Sequence, residues 1–248
     1  MSWIDFFPGL AENGFSIKNK VFDEHCCSRV ADDVNSEYER LVASGWRFCA
    51  GGRYTGHLNF HPGQYGQEMF AILKERGYIA AAEEFMGCPL NVSYIAGNIN
   101  LSGSLAQEIH QDFTPPEEAF IFNIALVTTR SNNGATAIVP QSHGTRYTYR
   151  TLHFTGTSRS AQQIDGDPGD LLVRVGSLWH RGMPNRTPHH RPMLCICMVP
   201  ADKPKPIDQV DERIAFSANR FYGKHARMRE LAEIYLAKAF HYYRIIKS

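Results

Sequence analysis

The chain has 248 residues and a mass of 28.0 kDa, with 43% hydrophobic and 21% charged residues, a composition that excludes intrinsic disorder and suits a folded globular chain. Lysine and arginine number 26 against 25 acids, a net charge of +1, which supplies no long-range field for gathering nucleic acid or an acidic membrane surface. No apolar run approaches the ~20 residues that span a bilayer, and Met1–Pro8 lacks a basic n-region, so neither a membrane span nor a secretory leader is expected and the chain reads as cytoplasmic.

The first 89 residues read as mainly helical. From Asp23 to Ala43, Cys26, Val30, Val34, Tyr38 and Leu41 recur at helical spacing, and Tyr65 to Met86 repeats the pattern with Met69, Ile72, Leu73, Tyr78, Ala82 and Phe85, Gly87 being a natural stop. Between them Trp46–Gly63 reads as a loop rich in Gly, His, Tyr and Arg. From Leu90 onward the texture is β. Runs at 91–96, 119–129, 135–139, 170–175 and 191–199 read as strands separated by turn signals such as Asn132-Asn133-Gly134 and Pro168-Gly169-Asp170. A helical pattern returns over His225–Ile246. The expected plan is one domain over 1–248: helical over 1–89, a β sandwich or barrel over about 90–200, and a helical extension over 201–248. Six cysteines, at 26, 27, 49, 88, 195 and 197, make no C-x-x-C pair and read as reduced thiols, not as a disulfide framework or a zinc ribbon.

Three features carry chemistry. His110 and Asp112 lie two apart, so in a strand both leave one face while Gln111 leaves the other. Taken alone, such a pair is equally a hydrogen-bonded strand end. His180 follows an apolar strand and a Gly176-Ser177 break, which delivers it on a short second strand to a barrel interior. Two imidazoles and a carboxylate on one face are the donor set of non-haem Fe(II) oxygenases, with positions left open for a co-substrate and O2. Arg191 follows His180 by eleven residues, across a turn-like stretch. The two are therefore expected side by side on antiparallel neighbours, Arg191 sharing a face with Met193 and Cys195. A buried guanidinium needs an anion, and its planar fork suits a carboxylate. The far carboxylate of 2-oxoglutarate is one such partner; a protein acid is the ordinary alternative.

In order along the chain, His110-x-Asp112, Asn133-Gly-Ala-Thr-Ala-Ile-Val-Pro-Gln-Ser-His143, Gly169-Asp170-Leu, Leu178-Trp-His180 and Arg191 resemble the phytanoyl-CoA dioxygenase family of Fe(II)/2-oxoglutarate oxygenases. The motifs cover roughly residues 90–200. The resemblance implies a mainly β fold with flanking helices, built on a double-stranded β-helix (jelly-roll) core. It implies His110, Asp112 and His180 as ligands of Fe(II), Arg191 as the anchor of 2-oxoglutarate, Thr136 as a further contact to that co-substrate, and Asn98 or Gln107 as a polar helper. O2 completes the set of reactants. The implied reaction is hydroxylation of a C–H bond in a small molecule, with release of succinate and CO2. Related halogenases replace the carboxylate by Gly or Ala, so Asp112 favours hydroxylation. The chain departs from the family at Gln141, where Gly is usual, which alters a turn; His143 is then expected to be structural.

Candidate substrate walls are Arg53, Tyr54 and His57 in the early loop, Phe113 after the metal motif, and Trp179 and Arg181 beside His180. Two other readings stay open: a metal-dependent hydrolase using the same triad, which leaves Arg191 without a task, and a non-catalytic jelly-roll binding protein. The partner expected is a small-molecule substrate and no nucleic acid; the sequence sets no oligomeric state.

Overall fold

The structure, a computed structural model, describes residues 2–48, 55–144, 147–203, 212–217 and 236. Its described strands are β1 (Phe15–Lys18), β2 (His57–Pro62), β3 (Leu90–Asn100), β4 (Phe120–Ala125), β5 (Thr136–Ile138), β6 (Gln162–Gln163), β7 (Leu171–Val175), β8 (His180–Gly182), β9 (Arg191–Pro200) and β10 (Ile214–Phe216). They form a seven-stranded sheet in the order β1-β7-β4-β9-β3-β2-β10 and a three-stranded sheet in the order β6-β5-β8. All pairings are antiparallel. The two sheets make the jelly-roll core.

The large sheet has two faces of opposite chemistry, because side chains alternate along each strand. On one face Leu58 and Phe60 of β2, Ile95 and Ile99 of β3, Phe120, Phe122 and Ile124 of β4, and Leu194, Ile196 and Met198 of β9 are buried in a single hydrophobic cluster. Each such side chain contributes about 1.5–3 kcal/mol by leaving water. The opposite face carries His57, Asn59, Asn98, Asn123, Arg174, Arg191, Met193 and Cys195, which line a cavity. Apolar-out and polar-in is the pattern of a sheet covered by helices on one side and wrapped around a binding site on the other.

Those helices are α1 (Trp3–Phe6), α2 (Leu10–Asn13), α3 (Glu24–Ala43), α4 (Gln64–Glu75) and α5 (Tyr78–Met86), while α6 (Tyr149–Phe154) packs separately, against Ile109, Val139 and Trp179. Asp23 caps α3 by accepting from the Cys26 N–H at 2.9 Å, and Cys27, Val30, Ala31, Val34 and Leu41 form its buried stripe. The expected single helix over Tyr65–Met86 is two. It breaks at Gly77, whose φ of 82° is left-handed, a conformation that ends a helix and that glycine adopts without steric cost. Among the described residues no helix is long and apolar enough to cross a membrane, and the described cysteines are free thiols.

Three more expectations need correction. The region read as helical supplies two strands of the large sheet, β1 and β2, and β2 lies inside the stretch read as a loop. β8 and β9 are not neighbours. β8 pairs with β5, while β9 lies between β3 and β4, because the connection from Met183 to His190 crosses from the small sheet to the large one. Buried Asn185 ties that crossing down by donating to the carbonyls of Asn100 at 3.1 Å and His189 at 2.7 Å. Arg191 accordingly stands opposite Asn100 of β3, not beside His180. The helical pattern over His225–Ile246 lies outside the described residues, apart from Leu236.

Candidate metal centre

His110 and His180 are locked to each other by backbone. Each donates its N–H to the other's carbonyl at 2.9 Å, a closed antiparallel pair that puts the two side chains directly opposite, ring centroids 4.5 Å apart. His110 forms only this isolated bridge and Asp112 lies in a bend, so the His-x-Asp motif is not a regular strand. Its geometry comes instead from the chain at Gly176. The N–H groups of Asp112 and Phe113 both donate to the Gly176 carbonyl, at 3.2 and 3.1 Å, and the Gln111 side chain donates to the Ser177 carbonyl. The glycine–serine break before β8 therefore fixes where Asp112 points.

The three donors converge. His110 Nε2 lies 3.6 Å from Asp112 Oδ1, and His180 Nε2 lies 3.6 Å from Asp112 Oδ2. All three ligand atoms fall within 4.8 Å of one another. Metal–nitrogen and metal–oxygen bonds run to about 2.0–2.2 Å, so two donors on one ion stand no more than about 4.3 Å apart; each imidazole is within that limit of one carboxylate oxygen, His110 of Oδ1 and His180 of Oδ2. The Nδ1 atoms are engaged elsewhere: that of His110 on the Glu108 carbonyl at 2.8 Å, that of His180 on the Leu178 carbonyl at 2.9 Å. A carbonyl only accepts, so Nδ1 carries the proton and the Nε2 lone pair faces inward, as a metal ligand requires. Burial, with repulsion from Arg174 next, holds His180 neutral well below the usual imidazole range. For Asp112, burial pushes the carboxyl up, but the charge of Arg174 and then the two imidazoles overcome it, and the carboxyl stays well below its usual range.

The triad opens into a cavity of about 540 Å³, within the ordinary size of small-molecule sites. Thr136, Asn98, Gln107, His57 and Arg191 line it together with the triad. Gln107 Oε1 accepts from the Gly182 N–H at 2.9 Å, and Asn98 Nδ2 donates to Asn59 Oδ1 at 2.9 Å. Gly182 is required here: a Cβ would come within 2.5 Å of the His57 ring and 2.8 Å of Gln107 Oε1. His57 Nε2 donates to the Leu105 carbonyl at 2.9 Å. Burial first, then the charge of Arg191, pulls its pKa down to about 4.

Arg191 is 2% exposed. Burial alone pulls its pKa down to about 10, so it remains a cation at neutral pH. Its Nε is buried without a partner, and among the described residues no acid pairs with it. Asp112 is the one carboxylate among the cavity-lining residues, and it is bound by another arginine, Arg174. The residues present thus fit both a divalent ion at the triad and an organic anion at Arg191.

Not every expected wall residue reaches the cavity. Trp179 is buried in a separate cluster with Ile109, Val139, Tyr149 and Leu152. Arg181 flanks His180 on β8 and leaves the opposite face, and Phe113, next to Asp112, packs with Ala119, Ile121 and Cys197; none of the three lines the cavity. Arg53 and Tyr54 lie outside the described residues. The sequence reading missed Arg174, Asn123, Tyr94, Asn59 and His61, all of which line it. Arg174 had a legible signal, being the only charge in the apolar run Leu171–Val175.

A family model described as phytanoyl-CoA dioxygenase (PhyH) matches residues 10–193. The dioxygenase cdmA of Talaromyces verruculosus is 32% identical over 109 residues, which is 40% of this chain and 36% of that protein; the match thus spans little more than a third of the relative's length. Among solved structures, AviO1 from Streptomyces viridochromogenes Tue57 superposes with a TM-score of 0.61 at 16% identity, covering 79% of this chain and 95% of that one. The epimerase SnoN, solved in complex with Fe3+, alpha-ketoglutarate and nogalamycin RO, superposes with a TM-score of 0.59 at 16% identity, covering 79% of this chain and 83% of that one. These superpositions establish a common fold. With the family model matching most of its length, the chain belongs to the phytanoyl-CoA dioxygenase family.

Proposed function

We propose that this chain is a non-haem Fe(II)- and 2-oxoglutarate-dependent dioxygenase that hydroxylates a C–H bond of a small molecule, with release of succinate and CO2. The observation that carries the reading is Arg191, a buried cation that lines the same cavity as the triad and, among the described residues, has no acid of its own. A hydrolytic metal site has no use for it; a dicarboxylate co-substrate supplies its missing partner. The likeness to SnoN, whose structure contains Fe3+ and alpha-ketoglutarate, supports the same assignment.

In this reading His110, Asp112 and His180 hold Fe(II), which with 2-oxoglutarate and O2 supplies the oxidising chemistry. Arg191 and the Thr136 hydroxyl hold the far carboxylate. Gln107 keeps its oxygen on the Gly182 N–H and so turns its amide N–H2 toward the co-substrate, while Asn98 is fixed by Asn59 at the cavity mouth. The substrate is expected to enter past Asn59, an exposed residue of the cavity wall, into a site whose buried walls keep water from the reacting carbon. Asp112 occupies the position that a halide would need, which favours hydroxylation over halogenation.

The test is succinate formation from 2-oxoglutarate with Fe(II), ascorbate and O2, run against a metabolite panel with detection of a mass gain of one oxygen. Wild-type chain is expected to form succinate, and Asp112→Ala to lose it to background. Succinate formation that is absent in wild type, or unchanged in Asp112→Ala, rejects the reading.

A further inference from the structure

The two oxygens of Asp112 are not equivalent. Oδ1 faces His110 Nε2 at 3.6 Å and accepts no hydrogen bond among the described residues. Oδ2, 3.6 Å from His180 Nε2, accepts from Arg174 Nη2. Arg174 is itself fixed. It is 4% exposed, its Nε donates to Asn123 Oδ1 at 3.1 Å, and Nη1 has no partner, so the guanidinium binds no second acid and its charge falls on Asp112.

We propose that Arg174 is a positioning residue that reserves one oxygen of Asp112, so that the carboxylate offers a metal ion a single oxygen and the open face of the centre keeps three positions. The inference rests on the reading of the triad as a metal centre. A six-coordinate ion held by two imidazoles and one carboxylate oxygen has three positions left, two for a chelating 2-oxo acid and one for O2. A carboxylate free to chelate through both oxygens, as carboxylates do on hard cations, leaves only two. Arg174 also cancels the charge of Asp112, so a divalent ion at this centre keeps its full charge for an incoming dianion. The expected signature is coupling: the metal alone binds weakly, and metal and 2-oxo acid bind far better together.

The test is calorimetric and electron-paramagnetic-resonance titration with Mn(II), with and without 2-oxoglutarate, which needs neither turnover nor a known substrate. Arg174→Met is expected to bind Mn(II) alone about tenfold more tightly than wild type, because the second oxygen is released and the competing cation is gone. It is expected to bind 2-oxoglutarate to the Mn(II)-loaded chain about tenfold more weakly; changes of this size are common when groups behind metal ligands are altered. Arg174→Lys keeps a cation on the same carboxylate and is expected to restore the wild-type order. Equal or weaker Mn(II) binding by Arg174→Met overturns the inference and leaves the metal centre standing. A wild-type chain that binds no Mn(II) removes both. If Arg174→Met does not fold, Asn123→Ala carries the test. It releases the guanidinium Nε, and its Mn(II) affinity must shift the same way by a smaller factor, an unchanged affinity again overturning the inference.

Discussion

Arg174 and Arg191 are two buried guanidiniums on the same face of the same sheet, 4% and 2% exposed, and they have opposite fates. Arg174, on β7, is paired within its own protein: Asp112 takes one nitrogen and Asn123 another, with Nη1 left over. Arg191, at the start of β9, has no acid among the described residues, and burial lowers its pKa to about 10. Desolvating an unpaired charge costs several kcal/mol, and a fold retains such a group where a ligand repays that cost. The difference teaches that burial alone does not mark a ligand-binding arginine; burial without a protein partner does. On the proposed reading, one arginine sets the charge of the metal centre and the other receives the anion.

The comparison is broken most sharply by removing Arg191. Truncating one partner of a desolvated charge pair costs about 2–5 kcal/mol, and 3 kcal/mol is a factor of roughly 150 in affinity. Arg191→Met is therefore expected to weaken 2-oxoglutarate binding to the metal-loaded chain by about two orders of magnitude while Mn(II) affinity in its absence stays near wild type. Calorimetry on the same two-ligand series reads both. If 2-oxoglutarate binds Arg191→Met as well as wild type, the anion sits elsewhere.

Stability of the metal-free chain gives the second contrast. Arg174→Met strands a carboxylate whose side chain is 24% exposed. Breaking a fully buried pair costs about 3–5 kcal/mol, and partial exposure reduces that here to about 2 kcal/mol. Arg191→Met removes an unpaired buried cation and fills the space with apolar atoms, so its unfolding free energy is expected to stay within about 1 kcal/mol of wild type or to rise. Denaturant unfolding at pH 7 in a chelating buffer measures both. Equal losses would mean that Arg191 has an internal partner after all.

How much of this was legible depended on the length of the signal. His110, Asp112, His180, Thr136 and Arg191 carry a fixed order and spacing along the chain, and all five line one cavity. Period-two alternation, read strictly, places Trp179 and Arg181 on the face opposite His180; Phe113 follows Asp112 in a bend, where alternation gives no guide. β2 was hidden because its alternation is inverted: Leu58 and Phe60 face the helices while His57, Asn59 and His61 face the cavity, so the segment reads as polar loop. The neighbours of β9 were not legible at all. An eight-residue connection from Met183 to His190 serves a hairpin and a sheet-to-sheet crossing equally well, and what decides between them is the long-range hold of Asn185 on Asn100.

The smallest expected effect sharpens the Arg191 side of the comparison. His57 is 4% exposed and faces Arg191, with its pKa pulled down to about 4 by burial first and by the charge of Arg191 after. In the unfolded chain its pKa returns to about 6.5. Between these values the unfolded state binds the proton and the folded state does not, so stability is lost as pH falls from 6.5 toward 4 and levels off below. From pH 7 to 5.5 the loss is about 1 kcal/mol. His57→Gln keeps a donor for the Leu105 carbonyl and removes the titration, so its unfolding free energy is expected to fall by about 1 kcal/mol less over that interval. An anion on Arg191 offsets the neighbouring charge and lifts the His57 pKa, so Mn(II) with 2-oxoglutarate should narrow the gap between the two chains. Parallel curves without ligands would mean that the His57 pKa is not lowered in the fold; a gap that ligands leave unchanged would mean that His57 does not feel the charge at Arg191.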